Sequence, residues 1–213
     1  MIDMTRQIAA VGRRVEGRTL ASGEGRVVAL AQTYDAPIED VWQAVTSAER
    51  IPRWFLPVTG DLRVGGRYQL EGNAGGTIER CDPPHGFAAT WEFGGSVSWI
   101  EVTLAAVDSS RTRFELEHVA PHDPERWATY GPGAVGVGWD LALPALALHL
   151  TSGETVDAAK AAAWAASEPG RLFATDASDR WCEASIAFGT DPGEARAAAE
   201  RTTAFYTTPP AGA

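Results

Sequence analysis

The stretch PIEDVWQAVTSAERIPRWF, from Pro37 to Phe55, marks the point at which a strand ends and a helix begins. The segment before it, 26–34, is rich in β-forming residues, and Pro37 suits the first turn of a helix because its φ angle is fixed. Apolar residues then recur at the spacing of a surface helix that buries one face: Ile38, Val41, Trp42 and Val45. The stretch therefore predicts a strand followed by an amphipathic helix.

Two aromatic residues follow a second, shorter helical turn. Thr46 or Ser47 is suited to cap that turn, and Pro52 ends it because its ring removes a backbone donor. Trp54 and Phe55 come directly after this break. They are therefore expected either to close the end of the core or to gate the entrance to a cavity.

Turn-forming sequences recur between Gly65 and Thr112 and leave room for six short strands. Apolar and polar residues alternate along them, so one face is predicted to be apolar and the other acidic. The acidic face carries Glu92, Glu101, Glu115 and Glu117. Connections this short require antiparallel neighbours. Together with 26–34, these strands predict an α+β fold with a curved antiparallel sheet of about seven strands.

A long apolar segment, 134–150, is predicted to form a helix that is covered on two sides. One stripe is expected to lie across the concave face of the sheet: Val135, Trp139, Leu143, Leu146 and Leu150. A second stripe is free to meet the C-terminal tail: Leu141, Ala145 and Leu148. Pro144 lies within this helix and is expected to kink it or to break it locally.

The chain divides into three predicted parts: an N-terminal extension, 1–25, that offers an extra strand, a core domain, 26–151, and a helical C-terminal extension, 152–213. Large aromatic residues are interspersed in the alanine-rich C-terminal extension: Trp164, Phe173, Trp181 and Phe188. This extension is expected to pack on the second stripe of the long helix or on a second subunit, which would form a homodimer.

The charge of the chain limits the classes of partner. Lys and Arg number 18 against 28 Asp and Glu, and the resulting net charge of -10 opposes a phosphate backbone. The N-terminus lacks the apolar core of a signal peptide, and the most apolar segment, 141–150, is shorter than the ~20 residues of a membrane-spanning helix. A cytoplasmic protein that binds neither nucleic acid nor membrane is expected.

Three motifs are set aside on their context. Cys81 and Cys182 lie far apart and outside any CxxC pair, so we expect two buried thiols and no disulfide framework. His118 and His122 have no third ligand nearby, so neither a zinc site nor another cofactor is expected. GPGAVG at 131–136 matches a dinucleotide fingerprint, but a polar loop rather than a strand precedes it. Its glycines, with Gly138, are expected to bring the helix start close to the sheet.

Five segments carry a resemblance to a known superfamily: APIEDVWQAVTSAERIPRWF at 36–55, GDLRVGGRYQL at 60–70, TWEF at 90–93, TRFELEH at 112–118 and GWDLAL at 138–143. With the order of elements, they resemble the START-like, or SRPBCC, superfamily, and more narrowly its bacterial branch homologous to the activator of the heat-shock chaperone ATPase. The resemblance implies a helix-grip fold, in which the sheet wraps the long helix and encloses a cavity. It does not extend to the tail after residue 151.

The predicted cavity combines this implied fold with the inward strand positions. From the helices and the first strands it takes Trp54, Phe55, Tyr68, Leu70, Ile78, Trp91 and Phe93. From the last strands it takes Val102, Leu104, Phe114, Leu116 and His118, and from the long helix Trp139 and Leu143. A large apolar void destabilises a protein unless something occupies it. The alternative is that the inward aromatic residues fill the space completely.

Three functions are open at this point. The first is noncatalytic binding of a small apolar or aromatic molecule in the cavity. The second, implied by the resemblance, is a polyketide cyclase or aromatase in which His118 supplies acid-base catalysis. The side chain of Glu101 is expected to point outward and Asp140 to lie on the polar side of its helix, so His118 lacks a convincing carboxylate partner. The third is a protein-binding module of the chaperone-cofactor type, which is suggested by the branch name alone.

Overall fold

The computed structural model describes residues 4–208. The first part contains helix α1 (Met4–Ala10), strands β1 (Gly12–Leu20) and β2 (Gly23–Tyr34), helix α2 (Ile38–Thr46) and a short 3₁₀ turn (Ile51–Arg53). Six strands follow: β3 (Val58–Gly60), β4 (Arg67–Leu70), β5 (Gly75–Asp82), β6 (Gly86–Phe93), β7 (Ser96–Ala106) and β8 (Thr112–Pro121). Five helices complete the chain: α3 (Pro124–Tyr130), α4 (Gly133–Ser152), α5 (Ala158–Ala165), α6 (Glu168–Phe188) and α7 (Pro192–Thr207).

All eight strands form one antiparallel sheet in the order β1-β2-β8-β7-β6-β5-β4-β3. The six-stranded meander is confirmed, and the sheet exceeds the predicted seven strands because the N-terminal extension contributes β1. Long antiparallel pairing of β1 with β2, from Gly12 opposite Ala31 to Leu20 opposite Gly23, fixes that edge. The α+β helix-grip class is therefore confirmed, whereas the three-part division of the chain stays a prediction.

Helix α2 buries the predicted stripe. Ile38, Val41, Trp42 and Val45 are each at most 9% exposed. Glu39 and Asp40 occupy its first turn, where acidic side chains interact favourably with the helix dipole. The helix therefore covers one end of the sheet, with Trp42 packed edge-on against Phe87 of β6.

Helix α4 runs unbroken through Pro144, so the expected local break does not occur. Trp139, Leu143 and Leu146 are buried in the same cluster as the inward residues of the sheet. The acidic outer face of the sheet carries ion pairs instead, among them Arg14 with Glu115 and Arg18 with Glu117. The principal core therefore lies between the concave sheet face and the helices.

The tail packs on the first half of α4 at its glycines. A Cβ atom built on Gly136 would lie 2.1 Å from Cε2 of Trp181 in α6, one on Gly133 would lie 2.9 Å from Cγ2 of Thr202 in α7, and one on Gly138 would lie 3.0 Å from the Tyr206 hydroxyl oxygen in α7. These glycines therefore admit the tail rather than the sheet, which corrects the expectation from GPGAVG. The expected packing of the tail on Leu141, Ala145 and Leu148 stays a prediction.

Asp140 corrects a second expectation, because it is 1% exposed and does not lie on a polar side. Arg13 of β1 donates from Nη2 to Oδ1 (2.7 Å) and from Nε to Oδ2 (3.0 Å). The indole Nε1–H of Trp181 donates to Oδ2 at 2.7 Å. Burial raises the pKa of Asp140, and these three hydrogen bonds counteract that rise by favouring the carboxylate. One carboxylate thus joins β1, α4 and α6.

The expectation of two buried thiols is wrong. Cys81 is exposed on β5 and Cys182 is half-buried on α6, and neither forms a disulfide. Cys81 lies in the β5 segment from Glu79 to Asp82, in which every residue is exposed.

Candidate ligand-binding cavity

A cavity of about 120 Å³ lies between the concave face of the sheet and the helices. Strands β4 to β8 form its floor, and α2, the 3₁₀ turn and Trp139 of α4 line its other sides. The lining is almost entirely apolar. The fold therefore leaves an internal space where the helix-grip architecture implies one.

Four aromatic rings stand in sequence along one wall. Trp54 stacks on Phe55, with ring centroids 5.4 Å apart. Phe55 in turn stacks on Trp139 at 5.7 Å, and Trp139 lies 5.1 Å from Trp91 in a tilted arrangement. Each ring restrains its neighbours, so the wall is stiff and cannot collapse into the space beside it. This stiffness is a physical reason for the cavity.

Three polar groups of the lining are hydrogen-bonded to backbone carbonyls. Trp54 donates from Nε1 to the carbonyl oxygen of Ala44 (2.8 Å), and the Thr46 hydroxyl donates to that of Trp42 (2.7 Å). The Tyr68 hydroxyl donates to the carbonyl oxygen of Thr90 at 2.7 Å, and burial raises its pKa. An occupant therefore meets mainly hydrocarbon surface, and the Cys81 thiol and the Trp91 indole are further polar groups of the lining.

Ten of the fourteen predicted cavity residues line this space. The helical segments supply Trp54, Phe55 and Trp139. Strands β4 to β6 supply Tyr68, Leu70, Ile78 and Trp91, and strands β7 and β8 supply Val102, Phe114 and Leu116.

Four predicted residues lie elsewhere. Leu104 and Leu143 are buried, each 2% exposed, but they do not line the space. Phe93 is 58% exposed, because it is the last residue of β6 and the strand turns at Gly94. His118 lines a different cavity, on the far side of Trp91.

Sequence reasoning also missed lining residues of two kinds. Phe87, Ala89 and Ile100 belong to the inward strand phase, so the alternation already carried the signal for them. Ile51, Val58 and Leu62 lie in the 3₁₀ turn, a three-residue strand and a loop, where no periodicity exists. The lining also includes Val45, Thr46 and Cys81.

His118 is fully engaged in hydrogen bonds. Trp139 donates from Nε1 to Nδ1 of His118 at 3.2 Å, so the proton of the neutral ring is on Nε2, which donates to the Ser98 hydroxyl oxygen at 2.9 Å. Burial, with a smaller effect of the nearby Arg126 charge, lowers the pKa of His118 to about 4. Neither Glu101 nor Asp140 contacts it, since both pair with arginines of β1. The ring therefore braces Trp139 and has no free nitrogen for acid-base chemistry.

The two other motifs do not form sites. Within residues 4–208, no three His, Cys, Asp or Glu side chains are placed to hold a metal ion together. GPGAVG follows helix α3 rather than a strand, so the βαβ context of a dinucleotide site is missing there. One described helix, α4, is long and apolar enough to cross a membrane, but 61% of that apolar stretch is buried inside the structure, as in a core helix.

Comparison with known proteins places this geometry in a family. The family described as activator of Hsp90 ATPase homolog 1-like protein matches residues 35–151. The chain belongs to this family. The START-like superfamily suggested by the sequence is therefore confirmed, and its core ends one residue before α4 does.

Solved structures extend the likeness beyond the core. The crystal structure of CalU16 from Micromonospora echinospora is 33% identical over 85% of this chain and 99% of that chain, with a TM-score of 0.67. The solution NMR structure of CalU16 is 35% identical over 84% and 94%, with a TM-score of 0.68. DynU16, a putative protein in the dynemicin biosynthetic locus, is 21% identical over 61% and 48%, with a TM-score of 0.53, and shares the fold. No curated protein matches the sequence.

Proposed function

We propose that this chain binds a small apolar or aromatic molecule in the cavity between the sheet and α4, without catalysing a reaction on it. The observation that carries the proposal is the apolar cavity of about 120 Å³ bounded by four mutually stacked or tilted aromatic rings. Buried apolar pockets with rigid aromatic walls favour ligands that present a flat hydrocarbon face.

The volume sets the size of the ligand. An engineered apolar cavity of about 150 Å³ stays dry and accepts benzene. The cavity of about 120 Å³ found here therefore suits one aromatic ring or a short branched alkyl group. If it were closed to water and left empty, a space of 120 Å³ would cost roughly 3 kcal/mol at about 24 cal/mol per Å³, against the 5–15 kcal/mol of stability that is typical of a domain. An occupant that recovers part of this cost stabilises the fold.

The state of the polar groups supports binding over catalysis. The Trp54 indole, the Thr46 hydroxyl and the Tyr68 hydroxyl are all committed to backbone carbonyls, and His118 lies outside this lining, so the Cys81 thiol is the one lining group left that could exchange a proton with a substrate among residues 4–208. A cyclase or aromatase needs a group that exchanges a proton with the substrate. The chaperone-cofactor alternative has only the family description in its favour. The homodimer and the cytoplasmic location stay predictions.

A thermal-shift experiment with benzene, toluene and indole tests the proposal. At a ligand concentration of ten times Kd, linkage adds about 1.4 kcal/mol of stability, which raises the Tm of a chain of this size by roughly 3–6 °C. In the cavity-filled variant Ala89→Leu we expect the shift to vanish, since Ala89 is a fully buried residue of the cavity floor.

Ala106→Leu is the matched control, because Ala106 is exposed at the end of β7. It should respond to the ligands as the original chain does. An absence of any shift across the panel, or equal shifts in Ala89→Leu and the original chain, would overturn the proposal.

A further inference from the structure

A second cavity, of about 430 Å³, lies beside the start of α4. It is enclosed by α3, the first turn of α4 and residues of β2, β6, β7 and β8. Trp91 lines both this second cavity and the apolar one, so a single ring forms part of the partition between them. The second cavity is the larger of the two and differs from the first in its chemistry.

Part of the second cavity is aromatic and apolar. Trp91 and Trp127 both line it, and Phe93 and Val97 stand at its rim, 58% and 47% exposed. Phe93 and Val97 flank the turn between β6 and β7. An apolar body can therefore enter between these side chains and rest against indole rings.

The charged lining favours an anion. Arg126 lies in the lining and has no carboxylate partner within residues 4–208. Its positive charge opposes protonation of His118 and favours ionisation of Tyr206. Asp123, the acidic residue of the lining, is committed: its Oδ1 accepts from the backbone N–H groups of Glu125 (3.1 Å) and Arg126 (3.0 Å). Asp123 keeps its negative charge, so the lining carries the cations Arg26 and Arg126 against one carboxylate, and Arg126 is the cation without a carboxylate partner among residues 4–208.

Two buried nitrogen atoms of the lining residues are available to bond a ligand. Arg26 Nε and His122 Nδ1 have no hydrogen-bond partner in the described part of the chain. The Arg26 guanidinium is held over the rings of Trp127 (5.8 Å) and Phe188 (5.4 Å). Buried polar groups are ordinarily bonded. Arg26 Nε carries a proton and would stabilise an acceptor, whereas His122 Nδ1 donates or accepts according to the tautomer of the ring.

The start of α4 also favours an anion in this cavity. Gly131, Pro132, Ala134 and Val135 all line the cavity, and no side chain in the described residues caps this 20-residue helix. The N-terminal end of a helix carries a partial positive charge and exposes backbone N–H groups to an anion.

We propose that the second cavity binds an aromatic carboxylic acid, with the carboxylate near Arg126 and the start of α4 and the ring against Trp91 and Trp127. This site is separate from the one-ring apolar site and does not depend on it.

Calorimetric titration with 2-naphthoate and with its neutral analogue 2-naphthamide tests the charge requirement. The naphthoate should bind more tightly, and Arg126→Gln should weaken it by roughly 3- to 10-fold while leaving the naphthamide affinity unchanged. Arg196→Gln is the control: it removes the same charge from an exposed position of α7 that lines neither cavity. Equal loss in the two variants, or no loss in Arg126→Gln, would overturn the proposal.

The location is tested by NMR of the indole N–H signals. Naphthoate should shift the Trp127 signal, and Ala89→Leu should leave both this shift and the naphthoate affinity intact, because Ala89 lines only the apolar cavity. Loss of naphthoate binding in Ala89→Leu would assign the acid to the apolar cavity and overturn the second site. Failure of the benzene, toluene and indole shifts leaves this result unaffected, so the two proposals fail independently.

Discussion

The two sides of helix α4 pack in opposite ways. Toward the sheet, Trp139 leaves a cavity of about 120 Å³ beside a row of rigid rings. Toward the tail, Gly136 lies so close to Trp181 that a single added carbon would overlap the indole at 2.1 Å. Helix α4 therefore has one face on which large aromatic residues border a cavity and another on which glycine allows the tail to pack in direct contact.

This difference assigns stability and ligand binding to different faces of α4. A face packed to contact is sensitive to any added volume, whereas a face beside a cavity tolerates it. Polar groups follow the same division: the tail side encloses the Arg13–Asp140 ion pair, whereas on the cavity side the Trp54 indole and the Tyr68 hydroxyl donate to backbone carbonyls and the Trp139 indole donates to His118. We therefore expect substitutions on the tail side to alter stability, and substitutions on the cavity side to alter ligand response.

The largest effect is expected at Arg13. Replacing Arg13 by Met leaves the fully buried Asp140 carboxylate without its cation and should cost about 3–5 kcal/mol of unfolding free energy, measured by denaturant titration. Arg14→Met is the matched control, because its side chain is 43% exposed and its ion pairs lie on the outer sheet face, where such pairs contribute about 0–1 kcal/mol. Similar losses in the two variants would mean that the tail side does not depend on the buried pair.

Acidification should weaken the contact of His118 with Trp139. Because the pKa of His118 is about 4 in the folded chain, the unfolded chain takes up this proton at higher pH than the folded one does. Stability is therefore fully present above about pH 6.5 and falls as the pH drops toward 4, by roughly 3 kcal/mol in total. His118→Asn, which keeps an acceptor for the Trp139 indole, should flatten this part of the pH profile. An unchanged slope in that variant would assign the acid sensitivity to other groups.

Adding one methyl group tests the tail side directly. Gly136→Ala should cost about 2 kcal/mol, because the clash with the buried Trp181 ring exceeds the roughly 1 kcal/mol gained in helix propensity. Gly138→Ala is the control on the same helix, since its Cβ would meet only the Tyr206 hydroxyl at 3.0 Å. We expect it to change stability little in a denaturant titration. If Gly136→Ala were equally neutral, the close packing of this face would not be a constraint.

Adding volume on the cavity side should have the smallest effect and the opposite sign. Ala89→Leu without ligand is expected to stabilise the chain by about 1 kcal/mol, because three added carbons recover part of the void. A marked loss of stability would show that this space cannot accept a side chain, and would remove the contrast between the two faces.

Strand alternation predicted most of the cavity because the pleat alone decides which side chains face inward. Tyr68, Trp91 and Phe114 follow from that rule, as the order of strands follows from the short turns. Phe93 shares the same phase, yet it ends its strand beside a glycine turn and is exposed. Alternation predicts to which face of the sheet a side chain points, but not whether neighbouring elements cover that side chain.

The remaining errors concern partners that are distant in sequence. An isolated aspartate in an apolar helix is taken for a solvent-facing residue, whereas Asp140 finds Arg13, which is 127 positions earlier. The glycines at the start of α4 indicate a close approach, but their spacing does not tell which element approaches. Likewise, the void beside Trp139 depends on how four rings stack, which no periodicity encodes.

The three elements that meet at Asp140 are synthesised at different times. The carboxylate partner of Arg13 leaves the ribosome 127 residues after it, and the Trp181 indole comes 41 residues after that. During synthesis, the arginine of β1 is therefore neutralised and shielded from water only after both partners have appeared. A nascent chain halted at the end of α4 would hold a charge pair open to solvent, and the arrival of α6 would fix β1 in place.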